Sequence, residues 1–226
     1  MVFGGIALTV AWGLGSILRA RAWVKTRDAG RRRRLDRVQT VRIADVKPGA
    51  VVKIVGKVEP IARDGASDAD TALLEAPLTG QRAIAFVTGV DILDKSSKYS
   101  PPSVTPYRCE KRAQDFWVRD ESGVALVRVD RADVVAEPLS VADTDGRQQR
   151  WLRRVHGRAR FLLVVPRKLQ FSETALRPGA EVVVMGRCVA VPTAAAEGPY
   201  REGGEPLITL EAASSGALVL SWNERA

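Results

Sequence analysis

Two stretches of the chain share one pattern of apolar and polar positions. Residues 46–61 read VKPGAVVKIVGKVEPI and residues 176–191 read LRPGAEVVVMGRCVAV, so each holds a Pro-Gly turn, alternating valines and a later glycine. Proline fixes φ, the glycine beside it permits a positive φ, and the later glycine allows a bend or a close approach of another strand. The pattern predicts two related β units, or one barrel with two equivalent strands.

The same period-two alternation continues after residue 40. It predicts a strand over residues 83–90, closing strands in PLITLEA and GALVLSW, and a hairpin around residues 121–123. Residues 62–72 and 94–106 are polar, and we read the second as an exposed insertion. The predicted fold is mainly β, an OB-like small barrel or duplicated β units. Structural roles at turns and strand ends are expected for Gly49, Gly56, Gly80, Gly123, Gly179 and Gly186.

One short soluble helix is predicted, over residues 147–160. Trp151, Leu152 and Val155 fall on one helical face, with arginines opposite. We expect this stripe to dock on the β body, with the arginines turned to the membrane or to an acidic partner. Insertion of the stripe into the lipid interface is the alternative. The candidate interaction surface consists of Arg147, Arg150, Trp151, Arg153, Arg154 and Arg158.

The first 18 residues carry no charge and predict a single transmembrane helix, about 27 Å long at 1.5 Å per residue. Residues 19–40 follow as a basic juxtamembrane linker, and residues 41–226 form the β domain. The positive flank places the N-terminus outside and the domain on the cytoplasmic side of the inner (plasma) membrane. Small residues four apart in the apolar run predict a helix-mediated homo-oligomer. The membrane-proximal basic residues are Arg19, Arg21, Arg31, Arg32, Arg33 and Arg34.

The location of the net charge and the small number of cysteines and histidines narrow the range of possible functions. The formal charge is +9, and nine basic and two acidic residues in the first 40 positions supply most of it. The rest of the chain is therefore nearly neutral, which disfavours nucleic acid as a partner. The chain has two cysteines and one histidine, His156, which lies among arginines. We expect no metal, no cofactor and no catalytic residue from such a set.

Four blocks of the chain, in this order, resemble the Beside-A-Membrane (GIDE-type) domain. They are a V-G-x-V motif at residues 55–58, PLTGQRAIAFVTGVD at Pro77–Asp91, a hairpin at Phe116–Val127 and an E-x-x-L-x-P-G block at Glu173–Gly186. The resemblance covers residues 44–222. This domain occurs in membrane-embedded RING ubiquitin ligases and in bacterial proteins. A RING needs eight Cys/His ligands, which this sequence does not hold, so the resemblance implies no ligase activity.

These observations predict a non-catalytic binding or sensing module that is anchored in membrane lipid and displays a β domain at the cytoplasmic membrane face to an unknown protein partner. One alternative is a small barrel that binds nucleic acid, and another is an accessory domain related to the ubiquitin ligases without their activity. An enzyme would have to use the carboxylates around the predicted hairpin. These are Asp115, Asp120, Glu121 and Asp130.

Overall fold

The fold is seen in a computed structural model of the chain. The structure describes residues 29–61, 73–94, 103–130, 132–136, 138–142, 146–156, 168–191, 207–212 and 218–222.

These ranges contain two α-helices, a 3-10 helix and thirteen strands. Helix α1 includes residues 29–37 and α2 is Arg147–His156, while the 3-10 helix is Ile43–Asp45. The first seven strands are β1 (Val51–Pro60), β2 (Leu74–Glu75), β3 (Arg82–Ala83), β4 (Ala85–Asp94), β5 (Ser103–Ala113), β6 (Phe116–Arg119) and β7 (Val124–Val127). The other six are β8 (Asp133–Ala136), β9 (Leu139–Ser140), β10 (Lys168–Leu176), β11 (Glu181–Val191), β12 (Leu207–Glu211) and β13 (Val219–Trp222).

Five strands close into a small barrel in the order β1-β6-β7-β12-β11 and back to β1. All neighbours are antiparallel except β7 and β12, which run parallel. Every second side chain points inward, as alternation in the sequence requires. The fully buried interior includes Ile54, Val58, Phe116, Val118 and Leu210. The prediction of a mainly β chain with a small barrel is confirmed.

The two copies of the repeated pattern lie side by side as β1 and β11. Their antiparallel register pairs Ile54 with Val184, the same position of each copy. Because the central pair joins equivalent positions, each residue before the centre of one copy pairs with a residue equally far after the centre of the other copy. A local two-fold axis therefore relates the two copies. Strand β6 joins the distal half of β1, and β12 joins the equivalent half of β11. The repeat is thus one barrel with two equivalent strands.

The Pro-Gly turns follow the same symmetry. The Gly49 N–H donates to the Cys188 carbonyl at 2.8 Å, and the Gly179 N–H donates to the Val58 carbonyl at 2.7 Å. Both glycines have positive φ, 86° and 80°, which favours glycine over residues with a Cβ. Each turn therefore closes one end of the pairing between β1 and β11.

A second, four-stranded sheet has the order β5-β4-β10-β9 and is antiparallel. β10 continues through the second Pro-Gly turn into β11, and β5 is followed directly by β6, so this sheet is joined to the barrel twice. Its buried Val87 and Leu176 belong to the same apolar cluster as the barrel interior. Residues 103–106 lie in β5, so the prediction that they belong to an exposed insertion was wrong.

Helix α1 packs on the outside of the barrel through Leu35. The side chains around Leu35 come from β8, β11 and β13, namely Val135, Met185 and Val219. The Lys53 ammonium donates to the Leu35 carbonyl at 2.9 Å, near the C-terminal end of the helix, where a cation is favoured. Arg31 forms an ion pair with Asp133. Residues 29–37 therefore form a docked helix, which the sequence had not predicted.

The predicted transmembrane helix, residues 1–18, lies outside the described residues. Within the described ranges, no helix has the length and apolar character needed to cross a membrane.

Candidate functional site

Helix α2 docks on the second sheet through the stripe that its sequence predicts. Trp151 is 2% exposed and packs edge-to-face on Phe171 of β10, with ring centroids 6.3 Å apart. Leu78 and Val90 complete the buried cluster, and Leu152 and Val155 pack at its margin as half-buried residues. The apolar face of α2 is thus covered by the protein itself.

A carboxylate on β5 fixes the orientation of the docked helix. Glu110 accepts a hydrogen bond from the Trp151 indole at 2.7 Å and another from the Arg154 guanidinium at 3.0 Å. Its second oxygen pairs with Arg112 at 2.9 Å. Because the Glu110 side chain is only 16% exposed, its bond from the Trp151 indole is partly shielded from water, whereas the Arg154 side chain is 55% exposed.

The first turn of α2 is held against the turn that follows β2. Arg147 donates to Glu75 at 2.8 Å, and this hydrogen bond lowers the pKa of the Glu75 carboxyl below its usual value. A Cβ at position 80 would lie 2.7–2.9 Å from the Arg147 guanidinium, so Gly80 leaves the room that this side chain occupies. The positive φ of Gly80, 72°, is a second reason for glycine there.

The turn itself is anchored by a buried carboxylate. Glu173, 3% exposed, accepts from the backbone N–H groups of Leu78 and Thr79 at 3.0 and 2.7 Å. It also accepts from the hydroxyls of Thr79 and Thr88, both at 2.7 Å. Four donors replace the water that Glu173 loses on burial, which makes the turn a fixed wall beside α2.

Between this wall and α2 lies a cleft of about 270 Å³, which we call the α2 cleft. It is lined by Glu75, Pro77, Arg147, Arg150, Trp151 and Arg154. Arg150 is exposed, and among the described residues no carboxylate pairs with it. Arg153 is exposed on the same helix but does not line the cleft. Arg158, also predicted for this surface, lies outside the described residues.

The predicted membrane-proximal arginines differ in their surroundings, and only four of the six lie in the described residues. Arg19 and Arg21 lie outside the described residues, and Arg31 is engaged with Asp133. Arg32, Arg33 and Arg34 are exposed on α1.

Two of the four hairpin carboxylates considered for catalysis, Asp115 and Asp120, accept hydrogen bonds from backbone N–H groups, while Glu121 and Asp130 are exposed. Burial alone would raise the pKa of Asp120, but hydrogen bonds from the Ser122 hydroxyl and from the N–H groups of Ile43, Ser122 and Gly123 outweigh it and lower that pKa. Asp115 accepts from the Val129 N–H at 2.8 Å. A Cβ on Gly123 would lie 3.3 Å from Ile43, so the hairpin turn and the 3-10 helix are closely packed.

The outer face of β6 and β7 is apolar at its centre. Trp117 and Leu126 are half-buried and pair across the two strands. Arg119, the basic residue of β6, donates to Glu59 of β1 at 2.6 Å. Lys57, which pairs with Arg119 in the sheet register, and Arg128, which follows β7, are exposed beside this face.

Neither cysteine forms a disulfide with a described residue, and burial raises the pKa of the Cys188 thiol. In the described ranges, no group of three or more His, Cys, Asp or Glu side chains is placed to hold a metal ion.

The residues that build the α2 cleft were only partly predicted. Trp151 and the arginines follow from helical periodicity, but Glu75, Glu110 and Glu173 were not identified. Each binds a group that lies 41 to 95 residues away in the sequence, and an isolated glutamate in a strand carries no local signal of such a partner.

No protein-family profile, curated protein or solved structure matches the chain.

Proposed function

We propose that the chain is a membrane-tethered, non-catalytic binding module. Residues 1–18 would anchor it in the inner membrane with the N-terminus outside, and self-association of these helices would make it a homo-oligomer. The barrel and the second sheet would stand at the cytoplasmic face and present α2 to a protein partner. The observation that carries this proposal is that α2 buries Trp151 in the protein and leaves Arg150 and Arg153 exposed.

The barrel order supports an OB-like fold within this proposal. Strand order β1-β6-β7-β12-β11, with a parallel pair between β7 and β12, is the connectivity of an OB barrel. A relation to the Beside-A-Membrane domain is also proposed, for a chain without ligase activity. It is supported by the contact between two of the resembling blocks, because Glu173 of one binds the Leu78–Thr79 turn of the other.

Two measurements on the full chain test this function. A reporter fused after residue 226 should be active only on the cytoplasmic side of a bacterial inner membrane, and activity on the outer side would contradict the orientation. A photo-crosslinking residue at position 153 should capture a discrete partner in cells. The same residue at position 121, exposed in the hairpin turn, is the control. Equal labelling from both positions would refute α2 as the binding face.

A second candidate function, binding of single-stranded nucleic acid, is favoured only by the OB-like strand order and the outward Trp117. OB barrels bind oligonucleotides on the face of their second and third strands, here β6 and β7. Stacking on an aromatic ring and a steep salt dependence mark this kind of binding. The pairing of Arg119 with Glu59 weighs against it. Oligonucleotide binding that falls with salt and is lost in Trp117→Ala would establish this function instead.

A further inference from the structure

We propose that the α2 cleft binds a phosphomonoester group, the phosphate of a small metabolite or of a lipid head group. This deepens the proposed binding function by naming the chemistry that the α2 surface recognises. It rests on that function only for its biological setting, because the cleft is formed by the folded chain itself.

The spacing of the arginines directs them to one place. Arg147, Arg150 and Arg154 follow one another by three and four residues, so they project from one face of α2. All three line the same cleft, whereas Arg153 does not. A guanidinium offers its N–H groups in a planar fork that fits two oxygens of a phosphate. Three such groups match the several oxygens of one phosphate better than the two oxygens of a carboxylate.

The charge of the cleft matches the same ligand. The lining residues comprise three arginines and one carboxylate, Glu75. Adding Glu110 and its other partner Arg112 leaves the excess unchanged at two positive charges. A phosphomonoester carries about −1.5 to −2 at neutral pH, which neutralises that excess.

Two of the three cleft arginines, Arg147 and Arg154, have carboxylate partners before any ligand arrives. Glu110 fixes Arg154 and the Trp151 indole, and Glu75 fixes Arg147 in the space that Gly80 leaves. Fixed donors lose less side-chain entropy on binding than mobile ones. The volume, about 270 Å³, fits a phosphate or a small head group rather than a large ligand.

Glu75 has a second role in this arrangement. Its carboxylate is half exposed and already occupies Arg147 at 2.8 Å, so it acts as an internal competitor for the incoming phosphate. As a glutamate whose pKa lies below the usual value, it is ionised at neutral pH. Neutralising Glu75 should therefore strengthen phosphate binding, whereas neutralising an arginine of the cleft should weaken it.

The test uses the full chain, purified in a neutral detergent and titrated with inorganic phosphate at constant ionic strength and about pH 8, where phosphate is a dianion. The readout is the indole N–H resonance of Trp151, which lines the cleft. It is assigned among the five tryptophans of the chain with Trp151→Phe. The expected result is a saturable shift of this resonance.

The matched pair of variants is Arg150→Gln and Arg153→Gln, which remove the same charge from exposed positions of the same helix. Arg150→Gln should weaken phosphate binding about tenfold, as expected for loss of a charge-assisted hydrogen bond. Arg153→Gln should leave it nearly unchanged. Glu75→Gln should tighten binding, with Glu121→Gln, in the hairpin turn, as its control.

Titration with glycerol phosphate and with micelles containing phosphatidic acid identifies the source of the phosphate. Equal affinities indicate a soluble ligand, and a much higher affinity for phosphatidic acid indicates a lipid head group.

Equal weakening by Arg150→Gln and Arg153→Gln, or no saturable shift with any phosphate, would overturn the proposal. Binding of an acidic peptide without phosphate binding would do the same. Because the titration uses purified protein, it can fail while the reporter and crosslinking experiments succeed.

Discussion

Gly56, the later glycine of the first repeat, lies where β1 meets β6, and replacing it with alanine is the most direct test of the barrel geometry. A Cβ at this position would lie 2.7 Å from Val118 Cγ1 and 2.9 Å from the Arg119 carbonyl carbon, and closer still to the Arg119 oxygen. Carbon atoms pack favourably at about 3.5–4.0 Å. Two of the three atoms are backbone of β6, so they can move only if the pairing of β1 with β6 opens.

The expected loss follows from two opposing effects. Overpacking a well-packed interior costs about 1–3 kcal/mol, and a backbone clash belongs to the upper part of that range. Alanine also restricts the unfolded chain, which returns about 0.4–1 kcal/mol. We expect Gly56→Ala to lower the free energy of unfolding by about 2 kcal/mol. For a chain of this size that corresponds to a melting temperature lower by about 4–8 °C.

Thermal unfolding of the full chain in neutral detergent, followed by circular dichroism, measures the effect. Gly30→Ala is the matched control, because Gly30 is an exposed residue of α1 and a Cβ at its position would have no neighbouring atom within 4 Å. Alanine is favoured over glycine in a helix by up to about 1 kcal/mol, so this variant should melt at or above the parent temperature. A Gly56→Ala chain that melts like Gly30→Ala would refute the close approach of β1 and β6.

Three further changes have defined outcomes. Gly186→Ala should destabilise less than Gly56→Ala in the same melt, since the nearest atom, 2.5 Å away, is the end of the Leu218 side chain and the nearest backbone atom, the Glu211 oxygen, is 2.9 Å away, farther than the Arg119 oxygen is at Gly56. Glu173→Gln should cost about 1–3 kcal/mol in urea unfolding, because an amide cannot accept from all four donors; no loss would contradict the anchoring role. The lowered pKa of Asp120 means that its ionised form stabilises the fold above about pH 4, and that this contribution is lost as pH falls through the folded pKa. Urea unfolding of Asp120→Asn should therefore show weaker stability at neutral pH and a flatter decline below pH 4 than the parent.

The local sequence pattern was sufficient to predict the barrel strands in which apolar and polar residues alternate. β1, β11 and the hairpin of β6 and β7 each alternate buried and outward residues, and their turns contain Pro-Gly or Ser-Gly. The repeat predicted two equivalent strands, but their direct pairing with each other is a long-range contact that no local pattern contains. The parallel pairing of β7 with β12 depends on the closure of the whole barrel for the same reason.

Two elements escaped prediction for different physical reasons. β5 forms 11 residues of strand with a proline at position 106 and mostly exposed or half-buried side chains, so it lacks the apolar alternation that identifies a half-buried strand. In α1, a run of arginines resembles a solvated linker. One buried residue, Leu35, carries the docking, and a single leucine is too weak a periodic signal to predict a packed helix.

The helices show why the net charge alone is a poor guide to the partner. α1 and α2 each dock through a large apolar residue, Leu35 or Trp151. α1 ties one arginine to a carboxylate of the β body, and α2 ties two. The remaining arginines described on both helices are left on the outside of the protein, so the positive charge of the described residues is concentrated on the docked helices.

This distribution separates the two candidate functions by a single comparison. An OB barrel that binds oligonucleotides would use the β6 face, where Arg119 is paired with Glu59 and adds little free charge. A partner that recognises phosphate or acidic groups would instead meet α2, where Arg150 is exposed. Arg150→Gln should therefore reduce partner binding more than Arg119→Gln, although both remove one positive charge. If Arg119→Gln has the larger effect, the barrel face is the binding surface and the role assigned to α2 is wrong.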